Sequence, residues 1–157
     1  MTRISHPGWG LVGWMALSCA AAAVGVLFTP GDWYADLIKP DWTPPDAVFP
    51  VVWTVLYIAM AVAAWRVWCQ HGFATAGSAL TLYLAQLLLN GLWSWLFFGL
   101  HAIGAALIEI VLLWLLIAAT TLAFWRLDRP AGLLLAPYLC WVSLAVALNY
   151  SIWQLNS

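Results

Sequence analysis

The sequence predicts an all-α membrane protein in which five transmembrane helices form one bundle and one domain, residues 1–157. Hydrophobic residues make up 66% of the chain and charged residues only 7%, whereas soluble domains carry about 25% charged residues. Five apolar segments each reach the roughly 20 residues that a spanning helix needs. They are too uniformly apolar to be barrel strands, and lipid admits only helices or closed barrels. The segments are therefore predicted to be helices.

The predicted helices follow one another with short connections. The first apolar segment is longer than the roughly 7 to 15 residues of a signal-peptide core, so it is predicted to be a retained helix. The apolar stretch after residue 79 is too long for one crossing, and Gly99, His101 and Gly104 predict a tight turn that divides it. The five predicted helices cover residues 8–28, 47–68, 79–99, 102–125 and 131–155.

Residues 29–46 form the one long connection. It combines acidic and aromatic side chains with Pro40, Pro44 and Pro45. Each proline fixes its own φ and biases the preceding residue away from helix. A flexible tether is instead rich in glycine and serine. We interpret the loop as a lid of defined shape; the alternative is a solvated cap that only closes the end of the bundle.

The basic residues predict the orientation in the membrane. Arg3, Arg66, Arg126 and Arg129 fall on one side of the predicted helices and Lys39 on the other. The positive side is normally cytoplasmic, so we expect a cytoplasmic amino terminus, an outer loop at 29–46 and a bacterial inner membrane rather than an outer one. The net charge of −1 gives no indication of nucleic-acid binding.

Three predicted helices each present an aromatic and amide face. Polar side chains at membrane depth usually point into the bundle, and residues three or four apart share a helix face. Converging faces would enclose a pocket for a large, flat, mostly apolar ligand; the alternative is ordinary interhelical packing. The faces consist of Phe49, Trp53, Tyr57 and Met60; of Gln86, Asn90 and Trp93; and of Pro137, Trp141, Ala145 and Asn149.

Two further features have open interpretations. Glu109 is the one carboxylate inside an apolar run, and it is either a hydrogen-bonded structural acid or part of a proton relay. Gly77, Thr81 and Ala85 form a small-residue seam, which serves either a homodimer contact or packing within one chain. Histidine and cysteine show no metal-ligand spacing, so no metal site is predicted.

Three longer stretches carry a resemblance to a known family. They read "WYADLIKPDWTPPDAVFPVVWTVLY", "LAQLLLNGLWSWLFFG" and "PYLCWVSLAVALNYSIWQLN". The chain resembles the TspO/MBR family of tryptophan-rich sensory proteins and translocator proteins, the peripheral-type benzodiazepine receptors, in a bacterial form. The resemblance implies a dimeric, five-helix receptor or sensor that binds tetrapyrroles such as protoporphyrin IX or haem. It also implies that the protein binds synthetic ligands of the isoquinoline carboxamide and benzodiazepine types. No cofactor is expected to be required.

The resemblance bears on three further points: a sterol partner, alternative functions and the positions that contact the ligand. Cholesterol is not expected as a partner, because Gln154 stands where the sterol motif after Tyr150 has a basic residue. Two other functions stay open: a light- and oxygen-dependent porphyrin-degrading enzyme with Trp53 and Trp141 as electron donors, and a channel or secondary transporter. The implied ligand contacts are Trp42, Phe49, Trp53, Tyr57, Gln86, Asn90, Trp93, Tyr138, Trp141, Ala145 and Leu148.

Overall fold

The computed structural model describes residues 7–157, and within them every regular element is helical. A single π-helical turn, Trp95–Gly99, continues the third helix. Apart from the one-turn helix α2, the helices are long and apolar enough to cross a membrane. The helices are α1 (Pro7–Leu27), α2 (Asp32–Asp36), α3 (Val48–Ser94), α4 (Ile103–Leu127) and α5 (Arg129–Leu155).

Helix α3 is two antiparallel helices that meet at Gly72. The Tyr57 hydroxyl lies 2.6 Å from Oδ1 of Asn90, although one straight helix would separate these positions by about 50 Å at 1.5 Å per residue. The chain therefore folds back, and we name the halves α3N (residues 48–71) and α3C (residues 73–94). With α1, α4 and α5 they make five membrane-length helices, which fits the predicted bundle.

The connection predicted over residues 69–78 is present but shorter than expected, because the chain is helical on both sides of Gly72. Gly72 has φ 61° and ψ −179°, a conformation that is open almost only to glycine. One residue therefore reverses the chain without a polar loop. The predicted turn near His101 is present, and His101 itself has φ 56°.

The core contains many small side chains. Ala61, Ala63, Ala64 and Ala76 are fully buried, which allows neighbouring helices to approach closely in lipid. Helix α4 packs against α5, and α1 packs against α3. A hydrogen bond of 2.7 Å between the side-chain oxygens of Ser18 and Tyr83 joins α1 to α3C.

An ion pair closes the end of the bundle opposite the 29–46 loop. Arg66 donates from Nε and Nη2 to the two carboxylate oxygens of Asp128, at 2.7 and 3.2 Å. Nearby, Nε2 of His71 lies 3.0 Å from the carbonyl oxygen of Leu127. Arg66 thus lies at the same end as the α4–α5 connection, as the predicted orientation requires. Arg3, which also entered that prediction, lies outside the described residues.

Replacing Gly72 with Ala is expected to destabilise the protein by about 1–3 kcal/mol through backbone strain alone. No atom lies within 4 Å of the position that the new Cβ would take, so no steric clash contributes. Gly13→Ala is the matched control, since Gly13 is helical and its Cβ position is equally open. The control should gain about 0.5–1 kcal/mol, the cost of glycine relative to alanine inside a helix. Thermal unfolding in detergent measures both, and equal midpoints would contradict the assigned role of Gly72.

Candidate ligand-binding site

The 29–46 loop is anchored on the aromatic residues of the π-helical turn. The Trp33 ring stacks on His101 with centroids 4.1 Å apart. Tyr34 is buried and makes edge contacts with Phe97 and Phe98, and the Lys39 ammonium lies 4.5 Å above its ring. Burial, with a smaller contribution from the Asp46 carboxylate, raises the pKa of the Tyr34 phenol. The loop therefore has a defined shape.

The carboxyl terminus fastens the same loop from the other side. The backbone N–H of Ile38 donates to Oδ1 of Asn156 at 3.0 Å, and Nδ2 of Asn156 donates to the Ile38 carbonyl oxygen at 2.9 Å. A tight turn follows, in which the Thr43 N–H and hydroxyl both donate to the Pro40 carbonyl oxygen. No sequence pattern indicated Asn156, because a terminal asparagine carries no periodic signal.

The predicted faces of α3N, α3C and α5 meet beneath this loop. The Tyr57 hydroxyl donates to Oδ1 of Asn90 at 2.6 Å. Nδ2 of Asn90 donates to the Tyr138 hydroxyl at 3.0 Å, and that hydroxyl donates to Oε1 of Gln86 at 2.8 Å. The network therefore binds four predicted site residues to one another.

Aromatic rings surround this network on the side of the loop. The Trp53 ring lies 5.5 Å from Tyr57 and 6.1 Å from Tyr138, measured between centroids. The rings of Phe49 and Trp141 meet edge to face at 5.6 Å. Indole and phenol rings thus line the interior between α3N and α5.

Trp93 and Trp42 lie apart from that group. Nε1 of Trp93 donates to Oδ1 of Asn149 at 3.0 Å, and its ring stacks on Phe97 at 5.1 Å. Trp93 therefore bridges the central core and the packing under the loop, where Leu148 also lies. Trp42 is 48% exposed on the loop itself.

Two concave regions adjoin the aromatic group. One is a nearly closed cavity of about 10 Å³ under the loop. The other is an open groove of about 470 Å³ between α3N and α5. The cavity is lined by Pro44, Phe49, Trp141, Leu144, Ala145 and Leu148; the groove is lined by Val51, Val52, Val55, Leu56, Pro137, Cys140, Trp141 and Leu144.

The side chains of the predicted faces thus lie close together and almost fill the space between them. Phe49, Trp141, Ala145 and Leu148 line the cavity, and the amides of the network bind tyrosine hydroxyls. Nε2 of Gln86 has no hydrogen-bond partner among the described residues. Gln86 therefore keeps one buried donor available.

Glu109 is buried without the hydrogen bonds expected of a structural acid. It is 6% exposed, and neither carboxylate oxygen has a hydrogen-bond partner in the described part of the chain. Residues 7–157 contain no group of three or more His, Cys, Asp and Glu side chains that could hold a metal ion. The titratable groups described here therefore form no metal site.

Fold and site together define a helical membrane protein with an aromatic and amide interior beneath a proline-stiffened loop. The chain belongs to the TspO/MBR family, whose model matches residues 2–154, as the resemblance indicated. It is 44% identical over 149 residues to the tryptophan-rich sensory protein of Cereibacter sphaeroides, covering 94% of this chain and 92% of the relative.

The chain is also similar to relatives from other organisms. The chain is 46% identical over 149 residues to the tryptophan-rich protein TspO of Chlorobaculum tepidum, covering 90% of this chain and 92% of the relative. It is 38% identical over 156 residues to the translocator protein of Bos taurus, covering 96% and 92%. The similarity thus extends over nearly the whole length of each chain.

Replacing Tyr138 with Phe is expected to destabilise the protein by about 1–3 kcal/mol. The change leaves buried polar atoms of Asn90 and Gln86 without partners. Tyr150→Phe is the control, since the Tyr150 hydroxyl accepts one hydrogen bond, from Gln154, at an exposed site. Thermal unfolding in detergent compares the two variants. A Tyr138→Phe midpoint equal to that of the control would show that the network does not hold the helices together.

Proposed function

We propose that this protein is a membrane receptor or sensor that binds a tetrapyrrole, protoporphyrin IX or haem, beneath the 29–46 loop. The convergence of α3N, α3C and α5 on one aromatic and amide interior carries the proposal. The names of two relatives, tryptophan-rich sensory protein and translocator protein, support a role in sensing or translocation.

The chemistry of the site suits a flat macrocycle with a polar edge. The indole faces of Trp53 and Trp141 offer large apolar contact surfaces, and indole N–H groups can donate to carboxylates. The free Nε2 donor of Gln86 adds a polar group deeper in the bundle. Because the cavity holds only about 10 Å³, binding requires the side chains of Trp141 and Leu144 to move apart.

The same surfaces suit synthetic isoquinoline carboxamide and benzodiazepine-type ligands, which are also flat and mostly apolar. Binding of such ligands requires no cofactor.

We propose that the protein lies in a bacterial inner membrane with its amino terminus in the cytoplasm. Cysteine accessibility to a membrane-impermeant maleimide in intact cells tests this orientation, with one new cysteine at Asp36 and one at Arg126. Labelling of the cysteine at position 126 alone would contradict the proposed orientation and indicate the opposite one.

Protoporphyrin IX is expected to quench the tryptophan fluorescence of the detergent-solubilised protein saturably. The double variant Trp53→Phe/Trp141→Phe should weaken binding at least about tenfold, because it removes two indole surfaces, about 1.4 kcal/mol in total. Trp9→Phe/Trp125→Phe is the control. Both of those indoles are exposed, at 79% and 43%, and neither lines the site. Linear quenching, equal in all three proteins, would mean that the porphyrin only partitions into the micelle.

We also propose that the seam of Gly77, Thr81 and Ala85 forms a homodimer contact. Thr81 is exposed, and its hydroxyl donates to the Gly77 carbonyl oxygen, so no polar group is left for lipid. No atom lies within 4 Å of a Cβ built on Gly77. Farther along the same helix, Leu88 is 77% exposed. This face of α3C is therefore open to a second copy.

Thr81→Trp should weaken dimerisation at least about tenfold, because the indole separates two closely packed helices. Leu122→Trp on α4 is the control, since Leu122 is exposed but lies outside the seam. Light scattering in detergent over a range of protein concentrations gives the monomer–dimer equilibrium. The proposed dimer contact would be contradicted if the wild type were monomeric at every concentration. It would also be contradicted if Thr81→Trp dimerised as tightly as the wild type.

A further inference from the structure

The groove between α3N and α5 is apolar and opens away from the bundle axis. Val51 and Val55 are 65% and 61% exposed along its α3N wall, and Cys140 is exposed on its α5 wall. Both walls belong to helices of membrane-spanning length. The mouth of the groove therefore faces the hydrocarbon of the bilayer.

The groove and the cavity under the loop share two lining residues, Trp141 and Leu144. No other residue lines both. The two side chains therefore stand between the lipid-facing groove and the cavity that Ala145 and Leu148 line from the other side. A ligand that moved from one region to the other would have to displace these two side chains first.

The backbone of α5 is weakened at the same level. Pro137 lies inside α5 and lines the groove. Proline has no N–H, so the Leu133 carbonyl oxygen lacks its helical partner at this position. Helices yield most easily where such a bond is missing. The wall that carries Trp141 can therefore shift more readily than an uninterrupted helix.

The route from the aqueous side is closed by contrast. Two hydrogen bonds join Ile38 to Asn156, and Trp33 stacks on His101. Pro44 forms part of the cavity lining beneath the loop. A ligand arriving from water would have to break these contacts before it reached the cavity.

We propose that the α3N–α5 groove is a lateral entrance, through which a flat apolar tetrapyrrole passes from the bilayer to the cavity while Trp141 swings aside as the gate. The inference rests on the proposed function, since it concerns the path to that binding site. A porphyrin is mostly apolar and concentrates in the bilayer, so the side route begins where the ligand is most abundant.

Filling the groove should slow both binding and release without changing affinity. Val55→Trp places an indole in the groove but outside the cavity, so it raises the barrier and leaves the bound state intact. We expect the association and dissociation rate constants for protoporphyrin IX to fall together by at least about tenfold. The equilibrium dissociation constant should stay within about twofold. Stopped-flow measurement of porphyrin emission in lipid nanodiscs gives both rates.

Two further variants complete the comparison. Val12→Trp on α1 has similar exposure, 58%, and lies outside the groove, so its rates should match the wild type. Asn156→Ala removes the hydrogen bonds that fasten the loop, and its association rate should also be unchanged. If Asn156→Ala binds faster, or Val55→Trp binds at the wild-type rate, the ligand enters elsewhere and the proposal is overturned.

A rise in the equilibrium dissociation constant of Val55→Trp would also overturn it, because the groove would then be the resting site. If the wild type does not bind protoporphyrin IX saturably, that result would instead contradict the proposed function, and the proposed entrance with it. If Val55→Trp does not fold, the groove can instead be filled by attaching a bulky maleimide to Cys140 in the variant Cys19→Ser/Cys69→Ser. The control is the same variant with Cys140→Ser added, treated with the same maleimide. If the labelled protein and this control have equal rate constants, the proposed entrance is overturned.

Discussion

A chain of hydrogen bonds through the middle of the bundle, from Tyr57 through Asn90 and Tyr138 to Gln86, determines how α3N, α3C and α5 can be arranged. Hydrocarbon offers no partner to a polar group, so each of these side chains must find one on another helix. Tyr138 accepts from one amide and donates to another, which fixes the rotation of α5 relative to α3C. The aromatic faces meet because this geometry brings them together.

The same network explains why the site is nearly closed. Three of the four polar atoms of its amides bind tyrosine hydroxyls, and Trp53 packs on both Tyr57 and Tyr138, so the packed rings leave little open space. An apolar cavity of about 10 Å³ is near the lower limit for a single water molecule. A large ligand must therefore separate packed side chains, and separation is easiest at Trp141 and Leu144, which already border the open groove.

The sequence predicted the helices and their faces because periodicity and hydropathy carry that information locally. Tyr57, Asn90 and Gln86 were assigned to helix faces expected to converge, and Tyr138 was implied by the family resemblance; the structure joins the four by hydrogen bonds. The connection at Gly72 was predicted too long, because the polar and small residues at 69–78 are typical of a loop, whereas one glycine with positive φ makes the whole reversal. The hydrogen bond of Trp93 to Asn149 and its stacking on Phe97 depend on how the helices pack, which helical spacing alone does not show.

Gln86 has an unpaired group next to Tyr138, and it bears on how the network could open. Its Oε1 accepts from the Tyr138 hydroxyl, while its Nε2 has no hydrogen-bond partner among the described residues. When a hydrogen bond of Tyr138 breaks, the full desolvation penalty applies only if the released group finds no new partner. The unpaired Nε2 of Gln86 offers such a partner to the Tyr138 hydroxyl oxygen. The closed network can therefore exchange partners rather than simply lose them, and this lowers the free energy needed to admit a ligand.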